Sequence, residues 1–369
     1  MDGDARNAEA ARVLDRLRLI LSILESAATL GTHKYALSLA LLDAVLVLPY
    51  DNQSQIRVGV PEVADRVIDL YWEQNKPYIT TSGDELVLAQ LNTSAKGPHV
   101  YLAAVTSLQE RFPGQSISTI RRHHVDAYLE ARKRVCIALV SNPIPRFHVG
   151  FTSVQPLWEM EGTGADAQLV LGPPTVVAFA LFASTIREVA ERRFLDKVVA
   201  LNRIDDDRAG IENHLFGAER AMPTGEMRSA LASLQGDRCL YTGKVLTRPS
   251  VDHFLPWSSI HLSEIQNFVV TNMSVNSAKG PQIADSLLHG RWRSHIIDKA
   301  PELERIADRY LWPSNLERVL AAADHLYRGR NSDELWSPQV AADVSDTGAG
   351  DQVDEYGTMR RPNRGGGIP

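Results

Sequence analysis

Along the first half of the chain, apolar residues recur at three- and four-residue steps, the period of one face of a helix. Val13, Leu17, Ile20 and Leu21 mark such a stripe, and residues 8 to 50 read as helical. Lys34 to Leu48 is almost wholly apolar and predicts a buried helix. Val60-Pro61-Glu62 predicts the start of another, because a helix's first turn tolerates proline's missing N–H; Val63, Val67, Leu70 and Tyr71 form its stripe. The character changes from Arg146 to Gly172. Phe147-His148-Val149-Gly150-Phe151 and Gln168-Leu169-Val170-Leu171 read as short strands between glycine and proline punctuation. Pro173-Pro174 then opens a long helix, Thr175 to Leu201, apolar in its first half and amphipathic in its second, which joins two halves of the molecule.

These patterns predict an α+β chain: a mostly helical domain with a few strands over 1–205, a second domain over 206–336, and a tail over 337–369. The tail is rich in Gly, Asp and Arg and poor in aliphatics, a composition that does not fold. Of the 369 residues, 44% are hydrophobic and 23% charged, which excludes a collagen-like or wholly disordered chain. Two cysteines, Cys136 and Cys239, cannot build a disulfide framework or a four-cysteine zinc site, and they suit a reducing interior. The start, Met1 to Arg6, is polar and unlike a signal peptide. The apolar run Tyr35 to Tyr50 is broken by Ser38, Asp43 and Pro49, short of the roughly 18 residues a membrane span needs. A cytoplasmic protein without a membrane partner is expected.

Charge narrows the choice of partners. The net charge is −6, whereas proteins that coat nucleic acid are usually basic. A nucleic-acid partner must therefore be held by local patches or through a metal. Arg111 to Val135 carries six Lys/Arg against two Asp/Glu, and Arg121, His124 and Arg132 could share a helix face. That face is either a phosphate contact or a solvated surface.

Residues 237 to 280 gather the chemistry. Arg238 to Leu246 is an apolar and β-prone run around Gly243-Lys244, suited to a hairpin. Asp252-His253 follows in a short apolar segment ended by Pro256. Neighbours on a strand point to opposite faces, so this pair serves one site only where the strand ends or bends. Asn276 and Lys279 are three apart and share a face if a helix begins there. Carboxylate and amide oxygens are hard ligands suited to Mg²⁺. An imidazole with an ordinary pKa of about 6.5 can take a proton from water. A metal, a water-activating base and a cation together describe attack on a phosphodiester.

With its spacing, the segment resembles the HNH (ββα-metal) nuclease motif in its asparagine-terminated form. Asp252-His253 matches the opening pair, Asn267 the middle asparagine, Asn276 the final ligand and Lys279 the lysine that follows by three. The steps are 14 residues from His253 to Asn267 and nine from Asn267 to Asn276. The resemblance implies a ββα-metal nuclease domain flanked by helices, with its core at 237–293. It implies a DNA endonuclease using Mg²⁺ or Mn²⁺, of the kind found in bacterial defence or mobile elements. Asp252 and Asn276 would hold one divalent ion, and His253 would be the general base. Asn267 would pin the loop that orients the histidine, and Lys279 would sit near the scissile phosphate or support the metal site. RNA as substrate, or a silent nucleic-acid-binding module, are the alternatives. HNH modules often act as homodimers or under a regulatory protein partner.

Gly236 to Arg293 carries six Lys/Arg and four Asp/Glu, a net +2 that agrees with a phosphate-facing site. The sequence departs from the family at its zinc knuckles. Cys239 is kept, but Thr242, Asn272 and Val275 stand where the other cysteines would fall, so no structural zinc is expected. Phe254, Trp257, Phe268 and Trp292 would hold the core by packing instead. His261, His289 and His295 read as surface or structural. Asp205-Asp206-Asp207 reads as a solvated turn, with a cation site the alternative.

Overall fold

The computed structural model describes residues 2–26, 31–49, 54–91, 100–151, 154–204, 206–217 and 222–338. Helix α1 (Asp2–Glu25) is followed by α2 (His33–Leu46), in which every residue from Tyr35 to Leu46 is buried. Its nearly unbroken apolar sequence makes α2 the axis on which the other helices pack. Strand β1 (Ile56–Gly59) leads into α3 (Val60–Gln74), which has proline in its first turn and Val63, Val67, Leu70 and Tyr71 buried. A small hairpin, β2 (Tyr78–Ile79) with β3 (Glu85–Leu86), precedes α4 (Val100–Arg111), α5 (Ile117–His123), α6 (Val125–Ser141) and α7 (Pro143–Arg146). Strands β4 (Trp158–Glu161) and β5 (Gln168–Leu171) then join β1 in a three-stranded antiparallel sheet of order β1-β5-β4. Leu171 faces Ile56 on one side and Trp158 on the other.

Two segments differ from the sequence expectation. Residues 147–150 form a turn rather than a strand. Gly150 has a φ of +93°, and the His148 ring accepts the Leu157 N–H at 3.0 Å, which fixes the turn with no strand beside it. The long helix after Pro173-Pro174 is two helices, α8 (Pro173–Leu181) and α9 (Ala183–Asn202), meeting at Phe182. Phe182 lies off helical geometry at φ −112°, ψ 23°, which turns the axis so that both pieces lie on α2. The tail expected over 337–369 falls outside the described residues from 339 onward.

After α9 the chain forms α10 (Arg208–Phe216), which lies on α9 and α3. Asp207 caps it by accepting the Gly210 N–H at 3.1 Å and also takes the Tyr78 hydroxyl. Asp207 is therefore structural; Asp205 is outside the described residues. Next come α11 (Gly225–Leu234), strands β6 (Pro249–His253) and β7 (Phe268–Asn272), and α12 (Met273–Lys279). Helices α13 (Ser286–Asp298), α14 (Ala300–Arg309) and α15 (Leu316–Tyr327) follow. Helix α15 returns to α2 and α8, and His325 Nε2 lies 2.6 Å from the Leu48 carbonyl oxygen. One continuous apolar core thus runs through both halves. The chain is a mixed helical and antiparallel-sheet fold, and among the described residues no helix is long and apolar enough to cross a membrane.

Candidate active site

Strands β6 and β7 pair antiparallel, Val251 facing Val270, Asp252 facing Val269 and His253 facing Phe268. Helix α12 follows β7 directly and lies back across both strands. The unit is therefore two strands and one helix. Preceding it, the run from Asp237 to Leu246 closes as a tight turn, with Gly243 at a φ of +68° that favours glycine. Cys239 N–H donates to the Lys244 carbonyl at 2.9 Å and Leu246 N–H to the Asp237 carbonyl at 3.0 Å. The expected hairpin is thus reduced to a single bridge, Arg238 with Val245.

Asp252 is buried near the end of β6. Its Oδ2 accepts the Tyr241 hydroxyl at 2.6 Å and lies 3.0 Å from Lys279 Nζ. Both bonds fall on one oxygen. Lys279 is fully buried, and its Nζ also donates to the His253 carbonyl at 3.1 Å. Tyr241 is fully buried too, and burial, with the Asp252 carboxylate beside it, raises its hydroxyl well above the ordinary tyrosine pKa. Asn276, on α12, donates from Nδ2 to Ser250 Oγ at 2.9 Å and to the Val251 carbonyl at 3.3 Å. Using its amide nitrogen this way leaves the amide oxygen as the end that can meet a cation.

Asn267 is completely buried. Its Oδ1 accepts the Leu255 N–H at 2.8 Å, and its Nδ2 donates to the carbonyls of Leu255 (3.2 Å) and Leu262 (3.0 Å). It ties together the two ends of the loop that leaves β6. His253, the last residue of β6, is 2% exposed, its ring 5.1 Å from that of Trp257 and 4.7 Å from that of Phe268.

The geometry sorts the sequence expectations. Asp252 and Lys279 come together, and Asn276 is fixed to the same strand. Lys279 is enclosed, and its Nζ lies beside the Asp252 carboxylate rather than at the surface. The side chain of Asn267 is hydrogen-bonded to the backbone of Leu255 and Leu262. No motif points to Tyr241, whose reach to Asp252 depends on the fold of the turn at 239–246.

A divalent ion at this site would be held by the Asp252 carboxylate and the Asn276 amide oxygen. The donor set fits Mg²⁺ or Mn²⁺, which take oxygen ligands and complete their shell with water and substrate phosphate. Among the described residues no group of three or more His, Cys, Asp and Glu side chains could hold a metal. Cys239 and Asn272 are held by hydrogen bonds. Cys239 Sγ lies 3.0 Å from Thr271 Oγ1; burial raises its thiol, but bonds with Thr242, Thr271 and nearby backbone outweigh this and lower it. Asn272 Oδ1 accepts from the N–H groups of Thr247 (2.8 Å) and Arg248 (3.1 Å).

The basic face on α5 and α6 is paired internally. Arg121 lies 2.7 Å from Asp69 and Arg132 3.4 Å from Asp65, both on α3, so both arginines of the face considered for phosphate carry ion pairs. His261 stacks on Trp257, and His289 on Tyr327. Compared with family profiles, with characterised proteins and with solved structures, the chain matches none.

Proposed function

We propose that the chain is a metal-dependent endonuclease of HNH type that hydrolyses phosphodiester bonds in DNA. The observation that carries the reading is the placement of Asp252 and Asn276 on adjoining elements of a two-strand, one-helix unit, with Lys279 buried against Asp252. Motif spacing puts these residue types in order, and the contacts of Asn276 with Ser250 and Val251 and of Lys279 with Asp252 and the His253 carbonyl support the reading.

A bound divalent ion supplies Lewis-acid charge at the phosphate and lowers the pKa of a coordinated water. Asp252 and Asn276 are the residues that hold it. Lys279 and Tyr241 fix the carboxylate by binding the same oxygen, so that Asp252, with Asn276, would be held in place for the ion. His253 takes a proton from the attacking water as general base. Asn267 holds the loop whose backbone follows His253. RNA in place of DNA leaves every one of these roles unchanged.

The test is cleavage of supercoiled plasmid in Mg²⁺, in Mn²⁺ and in EDTA, beside His253→Ala. Metal-dependent nicking is expected, with the variant slower by about 10²–10⁴, the usual contribution of a general base. A variant that cuts as fast as the wild type overturns the assignment of His253. Metal-free binding of DNA without cleavage favours the silent module.

A further inference from the structure

A general base that hands water to a phosphodiester must be reached by both, yet His253 is 2% exposed behind Trp257 and Phe268. Trp257 belongs to the loop 254–264, which the helical half of the molecule holds. Ser259 Oγ is hydrogen-bonded to Ser184 Oγ, near the start of α9, at 2.8 Å. About two turns further along α9, Glu191 Oε1 lies 3.5 Å from His261 Nε2. The His261 ring in turn stacks on Trp257, with centroids 4.3 Å apart and planes 13° apart. Ser184, Arg187 and Glu191 are spaced three and four apart and so share one face of α9. Arg187, 3% exposed at its side chain, pairs with Asp43 of α2 and lies 3.8 Å from Glu191, which anchors that face in the helical core.

The joint is flanked by empty space. Cavities of about 550 Å³ and 500 Å³ lie beside it, and Arg187, Glu191, Trp257 and His261 line both. Closely packed interiors resist movement of a tryptophan. Here the ring has room to leave His253 once two polar contacts are released.

We propose that α9 latches the loop 254–264 shut through Ser184–Ser259 and Glu191–His261, so that Trp257 covers His253, and that release of these contacts opens the site to nucleic acid. The consequence for cleavage rests on the nuclease reading above; the latch itself is a property of the loop.

The test labels histidines of the full-length protein with diethyl pyrocarbonate and follows each site by peptide mass spectrometry. Exposed His123 serves as the internal reference. In the wild type, His253 is expected to react much more slowly than His123. His261→Ala should speed His253 labelling by about three- to tenfold, the range expected for loss of one polar contact, and Ser184→Ala with Glu191→Ala, which removes both contacts, by about five- to a hundredfold. Circular dichroism establishes that each variant is folded, and plasmid cleavage is read on the same samples. Faster labelling with faster metal-dependent cleavage supports the latch and the nuclease together. Faster labelling with no cleavage by any of the proteins supports the latch and removes the nuclease reading. Wild-type His253 reacting as fast as His123, or unchanged labelling in folded variants, overturns the latch whether or not the protein cleaves.

Discussion

Lys279 shows how burial changes the reading of a charged residue. Its spacing from Asn276 suggests a cation offered to substrate, but the side chain is enclosed and ends on Asp252 Oδ2 and the His253 carbonyl. Removing one partner of a buried ion pair strands the other charge, at a cost of about 3–5 kcal/mol. Lys279→Met is therefore expected to lower unfolding free energy by that order in EDTA. Mn²⁺ should recover part of the loss, because a divalent ion can take over the neutralisation of Asp252. Denaturant unfolding with and without Mn²⁺ measures both effects, and equal loss in the two conditions would remove Asp252 from the metal site. At this scale the sequence made the types and order of Asp252, His253, Asn267, Asn276 and Lys279 legible. The enclosure of Lys279 and the Tyr241 hydroxyl bond were not, since both depend on how the turn at 239–246 folds over β6.

Elements were legible where hydrophobic period and punctuation agreed. The run inside α2, the proline at the start of α3 and the apolar stretch of β5 each specify their element locally. The segment 147–151 carries β-prone residues but has no partner strand, and Gly150 at positive φ makes a turn of it. The kink at Phe182 has no breaker residue to announce it; it follows from how α8 and α9 each pack. The turn at 239–246 is a further case, because the absence of cysteines at 242, 272 and 275 does not say what closes it. Asn272 does so here, accepting from Thr247 and Arg248 and donating to the Val245 carbonyl at 3.2 Å. Asn272→Ala removes these three bonds and is expected to cost about 1.5–4.5 kcal/mol, counting roughly 0.5–1.5 for each. A zinc-selective chelator should leave the wild-type melting curve unchanged. A large shift on chelation would mean that a metal, and not Asn272, closes the turn.

At the scale of the whole molecule, the joint between halves carries a pH dependence. Burial raises the Glu191 carboxyl from its ordinary 4.5 to about 7, against the attraction of Arg187, with Asp43 and Glu212 adding to the rise; His261 faces it from the loop. Between those two values the folded protein keeps a proton that the unfolded chain has released. The stability this contributes is complete below about pH 4.5 and is lost as pH rises through 7. Buried histidines act in the opposite sense. His33 and His148 are lowered by burial to about 4, so the fold gains stability as pH climbs past that value and the unfolded chain gives up its own imidazole protons. The total curve therefore mixes the two, and the comparison with Glu191→Gln isolates the carboxyl. Relative to the wild type, this variant is expected to become progressively more stable from pH 5 to pH 8, by thermal or denaturant unfolding at matched ionic strength. A difference that does not vary with pH would mean that Glu191 is ionised throughout, and that the contact with His261 is an ordinary ion pair on a solvated joint.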